Sequence, residues 1–329
     1  MKLKFYDRNK LNLFFYISIF TLITFNNFCK AQSYPTKNIR MIVPISVGGS
    51  TDVMARLISQ KLTEQLGVNV LVENKPGAGT IIGTEQLSKS PPDGYTLMTV
   101  AMEFSIQPSL QKVPYDPIKD FAFITQLTTG QYFFSCHPSI PINTIKDFIN
   151  LAKSKPRVIT FASSGNGSAN HLAGLLFQSL TKTQLNHIPY KGAGPAGIAL
   201  ISGEIDFMFS NVSSAITHIR ANKIRAIAST GEKRTLVMPQ IPTISESGVK
   251  EFILTGFTLV LAPAATPRDI ITKINHEIYL SLQSNSLKEK LNSLGLEAVG
   301  SSPEITTKFI ANEIQKWAPV IRSAGLKVD

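Results

Sequence analysis

Four stretches of this chain bring glycine, serine, threonine and asparagine together directly after an apolar run. They are residues 44–52 (PISVGGSTD), 162–168 (ASSGNGS), 189–194 (PYKGAG) and 210–214 (SNVSS). The chemistry open to such a set is recognition. Glycine lets the backbone approach a ligand closely. Unpaired N–H groups and the dipole at a helix start favour an anion. Hydroxyls and amides add neutral donors, so a carboxylate is held without a buried arginine. Any one of these loops, taken alone, reads equally well as a plain turn, and Ser50 or Thr51 as a helix N-cap. Their repetition at successive strand ends marks them as a set.

Other residue types are less informative. The histidines, His137, His171, His187, His218 and His276, show no metal-ligand spacing. Ser168 and His171 lie three apart, and a Ser–His hydrolase is the rival reading. Residues 77–83 miss the dinucleotide pattern GxGxxG by one position, and the chain has neither a Walker A sequence nor a GxSxG elbow. Lys191 is the one cation in the candidate loops, poised to meet a carboxylate or simply solvated. Asp206 sits in an apolar strand, where it either orients a loop or marks the strand's start. Cys136 lies in an apolar run with no base beside it and reads as core. No metal or cofactor is expected.

The elements that must position the loops alternate. Strands are expected at 39–43, 68–73, 95–101, 121–127, 131–136, 158–162, 186–190, 205–209 and 224–229. Helices are expected at 51–66, 80–90, 145–154, 169–180, 196–201, 213–222, 268–283, 287–294 and 303–323. In the first helix Val53, Met54, Leu57, Ile58 and Leu62 recur at helical spacing and Gly67 stops it. Strands alternating with helices imply βαβ units and mainly parallel sheets, whose ligands bind beyond the carboxyl ends of the strands.

The chain has 329 residues, 43% hydrophobic, with a formal net charge of +11. That length suggests about two domains. Residues 1–31 differ from the rest. Lys2, Lys4, Arg8 and Lys10 precede an uncharged apolar run at 13–25, and Ala31 closes the segment. This pattern predicts a cleaved signal peptide over 1–31, export to the periplasm, and Cys136 as the sole cysteine of the mature chain. The run is short for a membrane anchor. The segment holds five basic residues and one acid, which leaves +7 for residues 32–329. With no run of five or six basic residues, nucleic acid is not an expected partner.

From residue 34 onward the chain resembles the Bug-type periplasmic solute receptors of tripartite tricarboxylate transporters. The resemblance rests on Val43-Pro44 with Gly48-Gly49-Ser50-Thr51-Asp52, on Val72-Glu73-Asn74-Lys75-Pro76-Gly77-Ala78-Gly79, and on Pro92-Asp93-Gly94-Tyr95. It continues through Ser164-Gly165-Asn166-Gly167 with His171-Leu172-Ala173-Gly174, Pro189-Tyr190-Lys191-Gly192 and Ala262-Pro263-Ala264. It implies an α/β, two-lobed periplasmic binding protein of the type II-like kind. Each lobe is then a mainly parallel sheet flanked by helices, with the ligand cleft between lobes. Residues 32–132 plus 257–329 would form lobe one and 133–256 lobe two.

The resemblance further implies a receptor, not an enzyme. It would bind a small organic acid as a monomer and deliver it to a membrane permease of large and small subunits; a receptor feeding a membrane sensor kinase is the alternative. Lobe-one contacts would come from Ser46, Val47, Gly48, Gly49, Ser50 and Asp52. Lobe two would contribute Ser163, Ser164, Asn166 and Ser168, with Tyr190 and Lys191 at the cleft edge and Asn211 beyond a strand facing it. Several positions depart from the family's pattern. Val47 replaces a proline and Phe257-Thr258 replaces Trp-Tyr. Ser210 stands where an acid is common, which disfavours a cationic ligand. Met102-Glu103-Phe104 replaces a small, hydroxyl-rich stretch, and Glu103 would repel an anion or select a basic group.

Overall fold

The structure, a computed structural model, describes residues 34–48 and 50–323. The expected signal segment, Gly49 and the last six residues lie outside the described residues. Both sheets fall within one unit that begins at Asn38.

The first sheet has the order β11-β4-β10-β3-β1-β2. β1 (Ile39–Val43) pairs in parallel with β2 (Val70–Asn74) and β3 (Thr96–Ala101). These parallel strands alternate with α1 (Ser50–Leu66) and α2 (Ile81–Ser88), and α3 (Glu103–Leu110) follows β3. β10 (Gly256–Pro263) inserts antiparallel between β3 and β4 (Phe121–Gly130), and the short β11 (Leu296–Ala298) lies antiparallel to β4 on the edge. α8 (Arg268–Gln283), α9 (Asn285–Ser293) and α10 (Pro303–Ser323) complete this half.

The second sheet has the order β7-β6-β8-β5-β9. β6 (Thr160–Ser163) pairs in parallel with β7 (Asn186–Pro189) and β8 (Phe207–Asn211). β5 (Tyr132–Cys136) is antiparallel to β8 and to β9 (Arg225–Ser229). Its helices are α4 (Ile145–Ser154), α5 (Ala169–Thr181), α6 (Ala193–Ser202) and α7 (Val212–Arg220).

Most strands of each sheet run one way, as the alternation of elements predicted, and a minority of reversed strands makes both sheets mixed. Strands joined through a helix return parallel. β4, reached from β3 through α3, keeps the direction of β1–β3, whereas the strands entered without such a crossover are reversed. β5 follows β4 with only Gln131 between them and is antiparallel to β8 and β9, and β10, the return from the second sheet, is antiparallel to β3 and β4. β10, buried along nearly its whole length, and β11 were absent from the predicted strands. So was α3. Predicted β2, β6 and β8 lie about two residues further along the chain, a shift common at element boundaries.

The core of the second sheet is aromatic. Phe134, fully buried, stacks on Phe207 with ring centroids 4.6 Å apart and meets Phe148 edge-on at 4.7 Å. Trp317 on α10 is also fully buried, in the helix that lies against α3 and β4. Gly83 explains part of the near-miss dinucleotide pattern. A Cβ there would sit 2.9 Å from both the Lys75 carbonyl and the Pro44 side chain, so the glycine lets α2 press against the start of the first candidate loop.

Candidate functional site

The carboxyl ends of β1, β3, β6, β7 and β8 all point to one cavity of about 790 Å³, walled by residues from both sheets. Five helices begin there. α1 contributes Ser50, Thr51, Met54 and Leu57, and α3 contributes Glu103. α5 contributes Ala169 and Asn170, α6 Ala193 and Gly194, and α7 Val212 and Ser214. The starts of α3, α6 and α7 carry no side-chain cap, so their first N–H groups are not satisfied by their own N-cap residues. Among the described residues, no lysine, arginine or histidine lines the cavity. What favours an anion there is the set of helix starts.

Of the expected contacts, Ser46, Gly48, Ser50, Ser164 and Asn211 line this cavity. Gly49 lies outside the described residues. Val47 is 71% exposed and stands off the lining. Asp52, Ser163, Asn166, Ser168, Tyr190 and Lys191 also stand outside it, and most have visible structural roles.

Asp52 is buried and braces the first loop. Its carboxylate accepts hydrogen bonds from the Gly48 N–H (3.0 Å), from Arg56 Nε (3.0 Å) and from Asn74 Nδ2 (2.9 Å). Asn74 Nδ2 also donates to the Ile45 carbonyl. Burial alone would raise the Asp52 pKa, but the bonds from Arg56, Gly48 and Asn74 outweigh it and hold the carboxyl below its usual value. A depressed carboxyl stabilises the fold above the unfolded carboxylate range and stops doing so as pH falls through the folded value. The melting-temperature gap between wild type and Asp52→Asn should therefore be present at neutral pH and close below about pH 4. A gap still intact at about pH 3 would contradict this role.

Ser163, the last residue of β6, points the other way from Ser164. Its hydroxyl is 2.7 Å from His187 Nε2 and donates to the Gly165 carbonyl. His187 stacks on His171, centroids 3.8 Å apart. Burial lowers the pKa of His171 to about 4 and that of His187 to about 3, the latter with a contribution from the His171 ring. His171 Nδ1 accepts from the Gly167 N–H. Ser168 caps α5, accepting from the His171 backbone N–H, and its hydroxyl donates to the Gly165 carbonyl. The Ser168 and His171 side chains are thus engaged separately and make no dyad.

Asn166 and Lys191 are exposed, and the Tyr190 hydroxyl donates to Glu204 (2.9 Å). Asp206 accepts from the Thr160 N–H and hydroxyl, holding β6 to the segment before β8. Cys136 is buried and free.

The cavity also has residues that loop patterns could not indicate. Gly130, Gln131 and Tyr132 come from the β4–β5 crossing, and Gly256, Phe257 and Thr258 from the return strand. Leu294, Gly295 and Leu296 come from the chain around β11. Asn170 lines it from the first turn of α5. It accepts the Ser164 hydroxyl (2.6 Å) and donates to the Phe209 carbonyl (2.9 Å), tying the loop after β6 to the end of β8. Its only sequence signal was its place just after the loop.

Residues 54–326 match the model of the tripartite tricarboxylate transporter family receptor. The chain is 36% identical to Protein BugT of Bordetella pertussis over 91% of this chain and 92% of that protein. Among solved structures, it is similar to the R. palustris protein Rpa4515 with adipate, at 31% identity and a TM-score of 0.81, covering 89% of this chain and 99% of that one. It is also similar to the periplasmic binding protein BugD, at 32% identity and a TM-score of 0.78, covering 89% and 99%.

Proposed function

Because the chain belongs to the tripartite tricarboxylate transporter receptor family, we propose that it captures a small organic acid in the cavity between its two sheets and delivers it to a membrane permease. The family consists of periplasmic solute-binding receptors, and this protein is a receptor, not an enzyme. The observation that carries the ligand class is the convergence of five helix starts on a cavity that, among the described residues, no basic side chain lines. Backbone N–H groups and the Ser50, Ser164 and Asn211 side chains meet the carboxylate. The adipate carried by the Rpa4515 structure supports an acid of this size.

In this reading the strands of the two sheets belong to lobes at 32–132 plus 257–329 and at 133–256, which close on the acid as a monomer. Closure draws its free energy from ligand contacts that exist only in the closed state. Residues 1–31 direct export and are removed, and the permease has a large and a small subunit.

A thermal-shift series on the chain from Gln32 tests the reading against dicarboxylates, tricarboxylates, aromatic acids and amino acids. A ligand at about 100 times its Kd adds about 2.7 kcal/mol of stability. Ser164→Ala should weaken the best acid by roughly tenfold or more, as for a lost partner worth about 1–3 kcal/mol. Folded, ligand-free protein that shifts with no acid would sink the assignment.

A further inference from the structure

Among the described residues, Glu103 is the one carboxylate that lines the cavity. It opens α3, and the residue after it is locked in place. Phe104 is buried, edge-on to Phe121 at 5.4 Å and to Phe123 at 5.9 Å, and the Ser105 hydroxyl and N–H both donate to the Met102 carbonyl. The start of α3 is therefore rigid, and Glu103 is held against the cavity.

Its surroundings offer the carboxylate no counter-charge. Among the described residues no cationic side chain pairs with it, and no basic residue lines the cavity. Burial raises its pKa, opposed only by a hydrogen bond from its own backbone N–H. Tyr132 lies near enough for Glu103 to add to the upward push that burial gives its phenol. The register of β10 brings the aromatic wall to the same place: Thr258 pairs with Ala101 and Gly256 with Gly130. Phe257 and Tyr132 thus line the same cavity as Glu103. An unpaired carboxylate in a closing cavity is costly, and that cost falls to the ligand to relieve. A cationic group of the ligand, set against the carboxylate in a cavity that Tyr132 and Phe257 also line, relieves that cost.

We propose that Glu103 is a specificity residue that selects organic acids also carrying a cationic nitrogen, an ammonium or quaternary amine, over plain dicarboxylates. This rests on the receptor reading above. The Ser210 departure does not oppose it, because Ser210 is buried and outside the lining of this cavity; the acidic group comes from α3 instead.

The test compares matched probes by calorimetry on the whole mature chain at neutral pH: adipate against 6-aminohexanoate, succinate against 4-aminobutyrate, and glycine betaine. In wild type the nitrogen-bearing member of a pair should bind at least about tenfold tighter, and Glu103→Gln should erase that preference by about the same factor. The inference is overturned if dicarboxylates bind wild type more tightly than their amino counterparts, or if Glu103→Gln leaves the ranking unchanged. Should the variant fail to fold, the wild-type ranking alone decides. Binding of dicarboxylates only would leave the receptor reading standing without this inference, whereas binding of no acid at all removes both.

Discussion

Asn170→Ala should cost both stability and ligand affinity, and the two losses should arise together. The Asn170 side chain is 3% exposed and joins two strand ends, accepting the Ser164 hydroxyl and donating to the Phe209 carbonyl. Alanine leaves both groups without that partner, and each buried unsatisfied group costs about 1–3 kcal/mol. Denaturant unfolding should show a loss of roughly 2–4 kcal/mol on that basis. Affinity for the bound acid should fall tenfold to a hundredfold, roughly, because Ser164 lines the cavity and loses the partner that orients it. Ser164→Ala is the control: it removes the ligand contact and keeps the Asn170–Phe209 link, so affinity should fall with a smaller loss of stability. Asn170→Ala protein that binds as wild type would show that the link does not hold the site.

Phe134→Ala should be the more severe change in stability and the milder one in recognition. Phe134 is fully buried on β5, stacked on Phe207 and ringed by Phe148, Phe177 and Phe209 at centroid distances of 4.7, 5.5 and 5.4 Å. Truncating a buried phenylalanine costs about 3–5 kcal/mol, because the surrounding rings relax only partly into the space. Against a typical total of about 5–15 kcal/mol, that places the variant near the edge of folding at 37 °C. None of the five rings lines the cavity. The urea midpoint should drop sharply, while the fraction that remains folded binds its acid with near wild-type affinity. A loss below about 1 kcal/mol would mean that the cluster repacks, contrary to the close packing described here.

Much of this molecule was legible in its residues because the signals are local. Helical spacing and terminating glycine placed α1, and the apolar run at 39–43 placed β1 to the residue. The loops rich in glycine and serine indicated where strands hand over to helices, and parts of all four line the cavity. Ordered motifs carried the family. What these local patterns missed was set by pairing between distant segments. β10 reads Phe257-Thr258-Leu259-Val260-Leu261-Ala262, an apolar run that any buried element would show; only its insertion between β3 and β4 makes it a central antiparallel strand. That insertion brings Gly256 against Tyr132 and puts Phe257 in the same cavity wall as Glu103. No spacing along the chain encodes such a meeting.

The same division holds at single residues. Ser163 and Ser164 are chemically identical and adjacent, and the sequence offered both as carboxylate ligands. Successive side chains at a strand end point to opposite faces, so one serine meets His187 and the other meets the cavity. By itself the sequence determined most of the succession of elements, all but α3, β10 and β11, together with the family and the chemistry of the loops, since these depend on residues within one turn or one strand. The tertiary structure alone decided which loop atoms face the cavity and that an unpaired carboxylate stands among them, because both depend on strand register and burial, which emerge only when distant segments pack.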